Sequence, residues 1–130
     1  MIAVVETEGG TFGVDLDDEE IGPWDRDVVI APAPILNLPR LVAAAAAGAT
    51  VIAVVDAKPP LLVSHDAGTT WRESGRGLPA GRAIALADDD PDVAVYASRN
   101  RLYVTRDGGV FWTALALELP EIAGVSITGG

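Results

Sequence analysis

An internal repeat with a period of 41 residues constrains this chain more than any other feature of its sequence. Residues 61–71 read LLVSHDAGTTW and residues 102–112 read LYVTRDGGVFW. The same offset relates Ala53 to Ala94 and continues through Leu78 and Leu119 without a gap. Periods of roughly 20–50 residues are typical of solenoids and propellers, in which each repeat is one supersecondary unit. The sequence therefore predicts a row of similar, stacked units.

A fainter third copy opens the chain. The tetrapeptide AVVE at residues 3–6 parallels AVVD at residues 53–56, although the turn motif of this copy is lost. We predict a single domain spanning residues 1–130, with repeats at about 1–50, 51–91 and 92–130.

Turn-forming residues divide each unit into short strands. In the second unit we expect strands at 51–56, 61–65, 70–73 and 83–87, separated by the tripeptides KPP, DAG and GLP. Four short strands in about 41 residues is typical of a propeller blade. Apolar runs that do not alternate, such as VIAVV, suit inner strands buried on both faces. The predicted fold is all-β, with about three four-stranded antiparallel blades per chain.

Each intact copy carries the pattern Ser/Thr-x-Asp-x-Gly-x-x-Trp at a predicted turn. The aspartate can accept hydrogen bonds from backbone N–H groups of its own turn, and the glycine allows a positive φ. The tryptophan can fold over the turn and bury its ring. We interpret these residues as structural turn formers and predict no catalytic residue among them. They are Ser64, Asp66, Gly68, Trp71, Thr105, Asp107, Gly109 and Trp112.

This pattern resembles the Asp-box, or BNR repeat, of sialidases, Vps10-type sorting receptors and the photosystem II assembly factors of plants and cyanobacteria. The resemblance covers nearly the whole chain, although only two of the three boxes are intact. It also includes residues 90–97, DPDVAVYA, which look like the segment that precedes a box in those families. The resemblance implies a β-propeller whose boxes lie on the rim, away from any active site.

The two ends of the chain predict how the ring closes. If strands are lettered A to D from the axis outwards, residues 2–6 form a B strand and residues 124–128 form an A strand. Three blades are too few for a ring, because propellers typically carry roughly four to eight. We predict a head-to-tail homodimer in which each chain donates 124–128 to the other, giving six blades. A fragment of a larger propeller is the alternative.

The alanine-rich run at residues 41–48 offers a competing fold. A helix there, followed by the apolar run to Asp56, would imitate part of a dinucleotide-binding unit. The upstream glycines at positions 9, 10 and 13 do not give the G-x-G-x-x-G spacing. The 41-residue offset also aligns residues 43–45 with residues 84–86, which are predicted to form a strand. We therefore favour a strand.

Composition limits the partners. A net charge of −10 and a pI near 4.3 argue against nucleic acid and anionic membranes, because phosphate binding depends on Lys and Arg. The longest apolar run, 41–55, is too short to span a bilayer, and the N-terminus lacks a basic signal region, so we expect a cytoplasmic protein.

No cofactor or metal is predicted. The acidic runs 15–20 and 88–92 lack the calcium-loop pattern and are interpreted as solvated turns, and His65 as a surface residue.

Two functions follow from these observations. We favour a non-catalytic propeller that binds a protein or a carbohydrate through loops on a rigid scaffold. The alternative is a sialidase-like glycoside hydrolase with a site shared between chains, which acidic residues facing a common channel would favour. The Arg-Ile-Pro motif of sialidases is absent, and we expect the tyrosines to be packing residues. The tyrosine and arginine residues of the types that sialidase-like hydrolysis would use are Tyr96, Tyr103, Arg40, Arg82, Arg99 and Arg101.

Overall fold

The chain folds entirely into β-strands and turns in the residues that the structure, a computed structural model, describes: 1–28 and 33–128. The all-β prediction is therefore confirmed. Residues 29–32 of the first predicted repeat, and the last two residues of the predicted domain, lie outside the described residues. The strands are β1 (Ile2–Thr7), β2 (Gly10–Asp15), β3 (Ile21–Pro23), β4 (Leu41–Ala47), β5 (Thr50–Val55), β6 (Leu61–Ser64), β7 (Arg72–Ser74), β8 (Ala83–Ala87), β9 (Asp90–Ala97), β10 (Leu102–Thr105), β11 (Thr113–Ala114) and β12 (Ile122–Thr128).

The strands form three four-stranded antiparallel sheets, as the repeat predicts. The second sheet has the order β4-β5-β6-β7 and the third has the order β8-β9-β10-β11. The first sheet has the order β12-β1-β2-β3, so the last strand of the chain lies beside the first. Each sheet is therefore a simple meander except for the first, which both ends of the chain build.

The predicted strands of the second unit agree with the structure to within two residues. The largest difference is at the third of these strands, expected at 70–73 but found at Arg72–Ser74. The delay arises because the Asp66 carboxylate accepts a hydrogen bond from the Thr70 N–H, which keeps that residue in the turn. The alanine run is strand β4, and Gly48 follows it at φ +58° in the hairpin turn to β5.

The 41-residue offset of the sequence is not kept in every strand pairing. Ala44 pairs with Ala53, but Leu86 rather than Ala85 pairs with Ala94. The β8–β9 pairing has an irregularity between Leu86 and Ala87, where its register shifts. The inner strand β8 therefore lies where the sequence predicts it, but its pairing with β9 is one residue out of step with that of β4 with β5.

The third sheet lies between the other two. Its inner strand β8 packs against β4 on one side and against β12 on the other. Two hydrophobic cores result. The core between the second and third sheets includes Ile52, Val54, Leu61, Val63, Ile84, Leu86 and Tyr96. The core between the third and first sheets includes Ala3, Val5, Val14, Val95, Leu102, Val104 and Ile122.

The predicted A strand at the end of the chain completes the first sheet. Strand β12 pairs with β1 along its length, with Val4 opposite Ser126 and Ile2 opposite Thr128. The pairing expected at the sequence level is therefore present, and in this structure both strands belong to one chain rather than to two exchanging copies. The connection between the first and second sheets, from residue 24 to residue 40, is longer than the connection between the second and third sheets, from residue 75 to residue 82.

Candidate functional site: the aspartate turns and the axial groove

Each intact copy of the Ser/Thr-x-Asp-x-Gly-x-x-Trp pattern, which we call a box, forms a turn. The first box turn is held by a closed set of hydrogen bonds. The Ser64 hydroxyl donates to Asp66 Oδ1 at 2.7 Å and accepts the Gly68 N–H at 2.8 Å. Asp66 Oδ1 also accepts the Thr70 N–H at 2.8 Å, and Oδ2 accepts the Thr70 hydroxyl at 2.5 Å. Both carboxylate oxygens are thus engaged within the turn.

The second box repeats this arrangement with different neighbours. The Thr105 hydroxyl donates to Asp107 Oδ1 at 2.8 Å and accepts the Gly109 N–H at 3.0 Å. The same Oδ1 accepts the backbone N–H groups of Val110 and Phe111 at 3.1 and 3.0 Å. The two boxes therefore share one geometry despite the change from Ser to Thr.

These hydrogen bonds keep the box aspartates ionised. The Thr70 hydroxyl and N–H, with the Ser64 hydroxyl, lower the pKa of Asp66 to about 2. The Phe111 N–H and the Thr105 hydroxyl likewise lower the pKa of Asp107. A carboxylate held in this way is an acceptor and a poor proton donor, so neither residue is suited to general acid catalysis near neutral pH.

In each box turn the tryptophan ring packs over the glycine backbone. Gly68 and Gly109 lie at φ +90° and +89°, a region that residues with a Cβ rarely occupy. A Cβ on Gly68 would lie 3.5 Å from Trp71 Cζ2, and one on Gly109 would lie 3.8 Å from Trp112 Cζ2. Each indole ring therefore lies over the glycine of its own turn.

The second box also joins two sheets. The Ser74 hydroxyl, on β7 of the second sheet, donates to the Gly109 carbonyl and accepts the Trp112 indole N–H at 3.0 Å. The Arg72 guanidinium donates to the Gly108 carbonyl at 2.9 Å. The turn is thus a contact between neighbouring sheets.

The variable position between the hydroxyl residue and the aspartate of each box points to the next sheet. Arg106 donates to the Leu16 carbonyl at 3.0 Å and lies 3.3 Å from the Asp17 carboxylate, both in the first sheet's turn. His65 is exposed, and its ring lies close to Gly108 of the third sheet. These residues therefore act across sheet boundaries.

The first sheet keeps an aspartate turn although its box motif is lost. Asp15 Oδ1 accepts the N–H groups of Asp17 and Asp18 at 2.9 and 3.1 Å, and those bonds lower the pKa of Asp15. Glu19 follows at φ +54°, and its carboxylate accepts the Ala116 N–H at 2.9 Å. Here a run of acidic residues performs the turn without the glycine and tryptophan.

A groove runs where the inner strands of the three sheets converge. We call it the axial groove; its volume is about 290 Å³. Strands β4, β8 and β12 supply its walls, mainly through alanine, valine, isoleucine and leucine side chains. Arg82 and Asp88, which flank β8 at opposite ends, are the charged residues that line it in the described part of the chain.

A wider opening adjoins the groove at the end where the inner strands begin. This mouth has a volume of about 590 Å³ and shares Arg82 and Ala123 with the groove. Glu121 Oε1 lies 3.0 Å from Arg82 Nη2 and 3.3 Å from Arg99 Nε. Since these side chains are partly exposed, their ion pairs contribute little to stability.

Of the two tyrosines whose residue type suits hydrolysis, one is packed inside the protein and the other is partly buried against the same core. Tyr96 is fully buried, its hydroxyl donates to the Pro79 carbonyl at 2.6 Å, and burial raises its pKa further. Tyr103 lies against it, with ring centroids 6.0 Å apart. Neither ring lines the axial groove.

The charges of the chain are divided between its two ends. The loops around the mouth carry most of the nine lysine and arginine residues, whereas the box turns and the β8–β9 hairpin carry most of the carboxylates. The cations at the mouth end are Arg40, Lys58, Arg76, Arg82, Arg99 and Arg101. The carboxylates at the box end are Asp15, Asp17, Asp18, Glu19, Glu20, Asp66, Asp88, Asp89, Asp90, Asp92 and Asp107.

The structure separates the sequence-predicted residues into two regions. The eight box residues lie in two turns at one end of the sheets, and Arg82 and Arg99 meet at the mouth. Glu121, which joins those two arginines, could not be identified from the sequence because no motif marks it and it lies 39 residues from Arg82. The described residues contain no group of three or more His, Asp or Glu side chains placed to hold a metal ion, and no helix in that part of the chain could cross a membrane.

Comparison of the chain with protein-family models, with curated proteins and with solved structures gave no match.

Proposed function

We propose that this chain is a non-catalytic, Asp-box-type propeller scaffold that binds a ligand at the mouth of its axial groove. The observation that carries the proposal is the lining of the groove, which is built from small apolar side chains on three convergent strands. Ligand pockets are commonly apolar, with a few polar groups that fix orientation. Arg82 supplies such a group here.

The glycoside hydrolase alternative fits the groove poorly. Hydrolysis of a glycoside uses two carboxyl groups, or a tyrosine with a carboxylate partner, on either side of the scissile bond. Asp88 is the one carboxylate lining the groove in residues 1–28 and 33–128, and both tyrosines are packed elsewhere. The residues that line the groove therefore do not form the acidic channel that would favour hydrolysis.

The box turns support a scaffold role as well. Every oxygen of the Asp66 carboxylate is occupied by its own turn, and the second box is tied to the neighbouring sheet through Ser74. Loops mounted on such a rigid framework are where propeller-like folds carry their binding residues.

An assay of glycoside turnover tests this proposal. The chain at high concentration is incubated with 4-methylumbelliferyl sialoside and with a panel of aryl glycosides, and release of the fluorophore is followed. We expect rates equal to the buffer blank. Turnover that is abolished by Asp88→Asn or Tyr103→Phe would overturn the scaffold proposal and establish a hydrolase.

The scaffold is proposed to act as a homodimer that completes a six-bladed ring. The third sheet packs on both sides, whereas the first and second sheets occupy the two ends of the row. On the first sheet, the Trp24 ring covers Gly13, and its buried indole N–H has no hydrogen-bond partner among the described residues. A second copy placed against these end sheets would continue the row to six.

The mass of the native particle tests the dimer. Light scattering at micromolar concentration should give twice the chain mass of 13.4 kDa. A folded monomer across the same range would rule out ring completion while leaving the binding proposal for the groove in place.

A further inference from the structure

The axial groove and its mouth together have the chemistry of a site for an amphipathic anion. The groove offers an apolar channel of about 290 Å³, near the lower end of the roughly 300–1,000 Å³ typical of ligand pockets. The mouth places a guanidinium at one end of that channel, because Arg82 lines both spaces. We propose that the site binds an aliphatic carboxylate, with its hydrocarbon chain in the groove and its carboxylate on Arg82. This inference rests on the proposed binding function and names its ligand class.

The side chains that line the axial groove determine which apolar group the ligand carries. The strand segments that form the walls carry one hydrogen-bonding side chain, that of Ser126. These segments are Ala43–Ala46 of β4, Ala83–Leu86 of β8 and the residues around Val125 of β12. An alkyl chain buried there loses no polar partner and gains the transfer free energy of its methylenes. The modest volume favours one unbranched chain over a ring system.

The anionic part is set by Arg82 and its surroundings. The guanidinium is partly exposed and its Nη2 lies 3.0 Å from Glu121 Oε1, so a carboxylate already occupies the position that the ligand would take. Arg99 lies 3.3 Å from the same oxygen and is more exposed. A ligand carboxylate can therefore replace Glu121 on Arg82 while Glu121 keeps Arg99 as its partner.

The charge distribution favours one orientation of an anion in the groove. Although the chain carries a net charge of −10, the loops around the mouth hold most of its cations and the opposite end holds most of its carboxylates. The mouth itself is lined by Glu8 and Glu121 as well as Arg82, so it does not concentrate anions, whereas the carboxylates at the opposite end repel an anion from the end of the groove at Asp88. The bound ligand is thus oriented with its carboxylate at the mouth.

Isothermal titration calorimetry of the full chain with sodium decanoate tests the inference, with hexanoate, octanoate and neutral decanol for comparison. We expect one site per chain and an affinity that rises about three- to fourfold per added methylene. Decanol should bind at least tenfold more weakly than decanoate, because it forfeits the charge-assisted bond to Arg82. Absence of decanoate binding at millimolar concentration would overturn the inference.

Five variants, in one set at arginine and one set at alanine positions, locate the ligand. Arg82→Met should weaken decanoate binding at least tenfold and Arg82→Lys should recover part of it, whereas Arg76→Met removes a cation of the same face outside the groove and should have no effect. Ala123→Phe, at an exposed position between mouth and groove, should block binding. Ala114→Phe, at an exposed position on the outer strand β11, should not. Circular dichroism confirms that each variant is folded.

The remaining outcomes each decide a separate point. Binding that is lost in Ala123→Phe but unchanged in Arg82→Met would overturn the assignment of the carboxylate to Arg82. Binding that survives both changes would place the ligand elsewhere and overturn the site. Failure of decanoate to bind, together with no glycoside turnover, would remove this inference alone, whereas turnover would remove the proposed function whatever the titration shows.

Discussion

Gly81 leaves the space in which the buried ring of Tyr96 lies. A Cβ built on Gly81 would be 2.2 Å from both Tyr96 Cε1 and Oη, whereas ordinary contacts begin at 3.4 Å. Gly81→Ala therefore requires a shift of more than 1 Å, and Tyr96 is fully buried and tied to the Pro79 carbonyl. Overpacking of this kind costs about 1–3 kcal/mol, and loss of the buried hydrogen bond adds about 1 kcal/mol.

We therefore expect Gly81→Ala to lower the free energy of unfolding by about 2–4 kcal/mol, or the Tm by roughly 10 °C. Urea unfolding followed by tryptophan fluorescence measures the change. Gly22→Ala is the matched control, because its Cβ would meet no atom within 4 Å and its φ is not positive; it should change stability by less than about 0.5 kcal/mol. Equal stabilities of the two variants would refute the packing of Tyr96 against the segment that leads into Arg82.

Three further changes test the packing and the boxes. Leu61→Ala, at a fully buried site between the second and third sheets, should cost about 2–5 kcal/mol in urea unfolding. Ser74→Ala should cost about 1–3 kcal/mol, because the Gly109 carbonyl and the Trp112 indole both lose a buried partner, and a change below 0.3 kcal/mol would contradict that pairing. Asp66 has a pKa near 2 in the folded chain against 3.8 for the free group, so its contribution is present above pH 4 and lost as pH falls toward 2. The urea midpoint of Asp66→Ala should accordingly fall less between pH 5 and pH 2 than that of the wild type.

The turn chemistry could be predicted because it is local. The positions of Asp66, Gly68 and Trp71 in sequence suffice to specify a turn whose hydrogen bonds close within a few residues. Two copies at a fixed spacing then imply similar sheets that pack on each other. The alanine run could be assigned to a strand by the same logic, since only the repeat distinguishes it from a helix.

The mouth of the groove could not be predicted in this way. Arg82, Arg99 and Glu121 meet only because β12 returns to the first sheet and packs beside β8. The one-residue shift in the pairing of β8 with β9 accompanies an irregularity before Ala87, which no spacing in the sequence marks. Contacts set by packing between sheets require the three-dimensional arrangement.

The groove exists because β12 completes the first sheet and stands beside β8, and one cross-link tests that arrangement directly. The chain has no cysteine, so Val4→Cys combined with Ser126→Cys introduces a single pair at residues that face each other across β1 and β12. After oxidation, mass spectrometry under denaturing, non-reducing conditions should show a chain of about 13.4 kDa without free thiols. A covalent dimer of twice that mass would show that the strand is exchanged between copies, and free thiols throughout would contradict the pairing on which the groove depends.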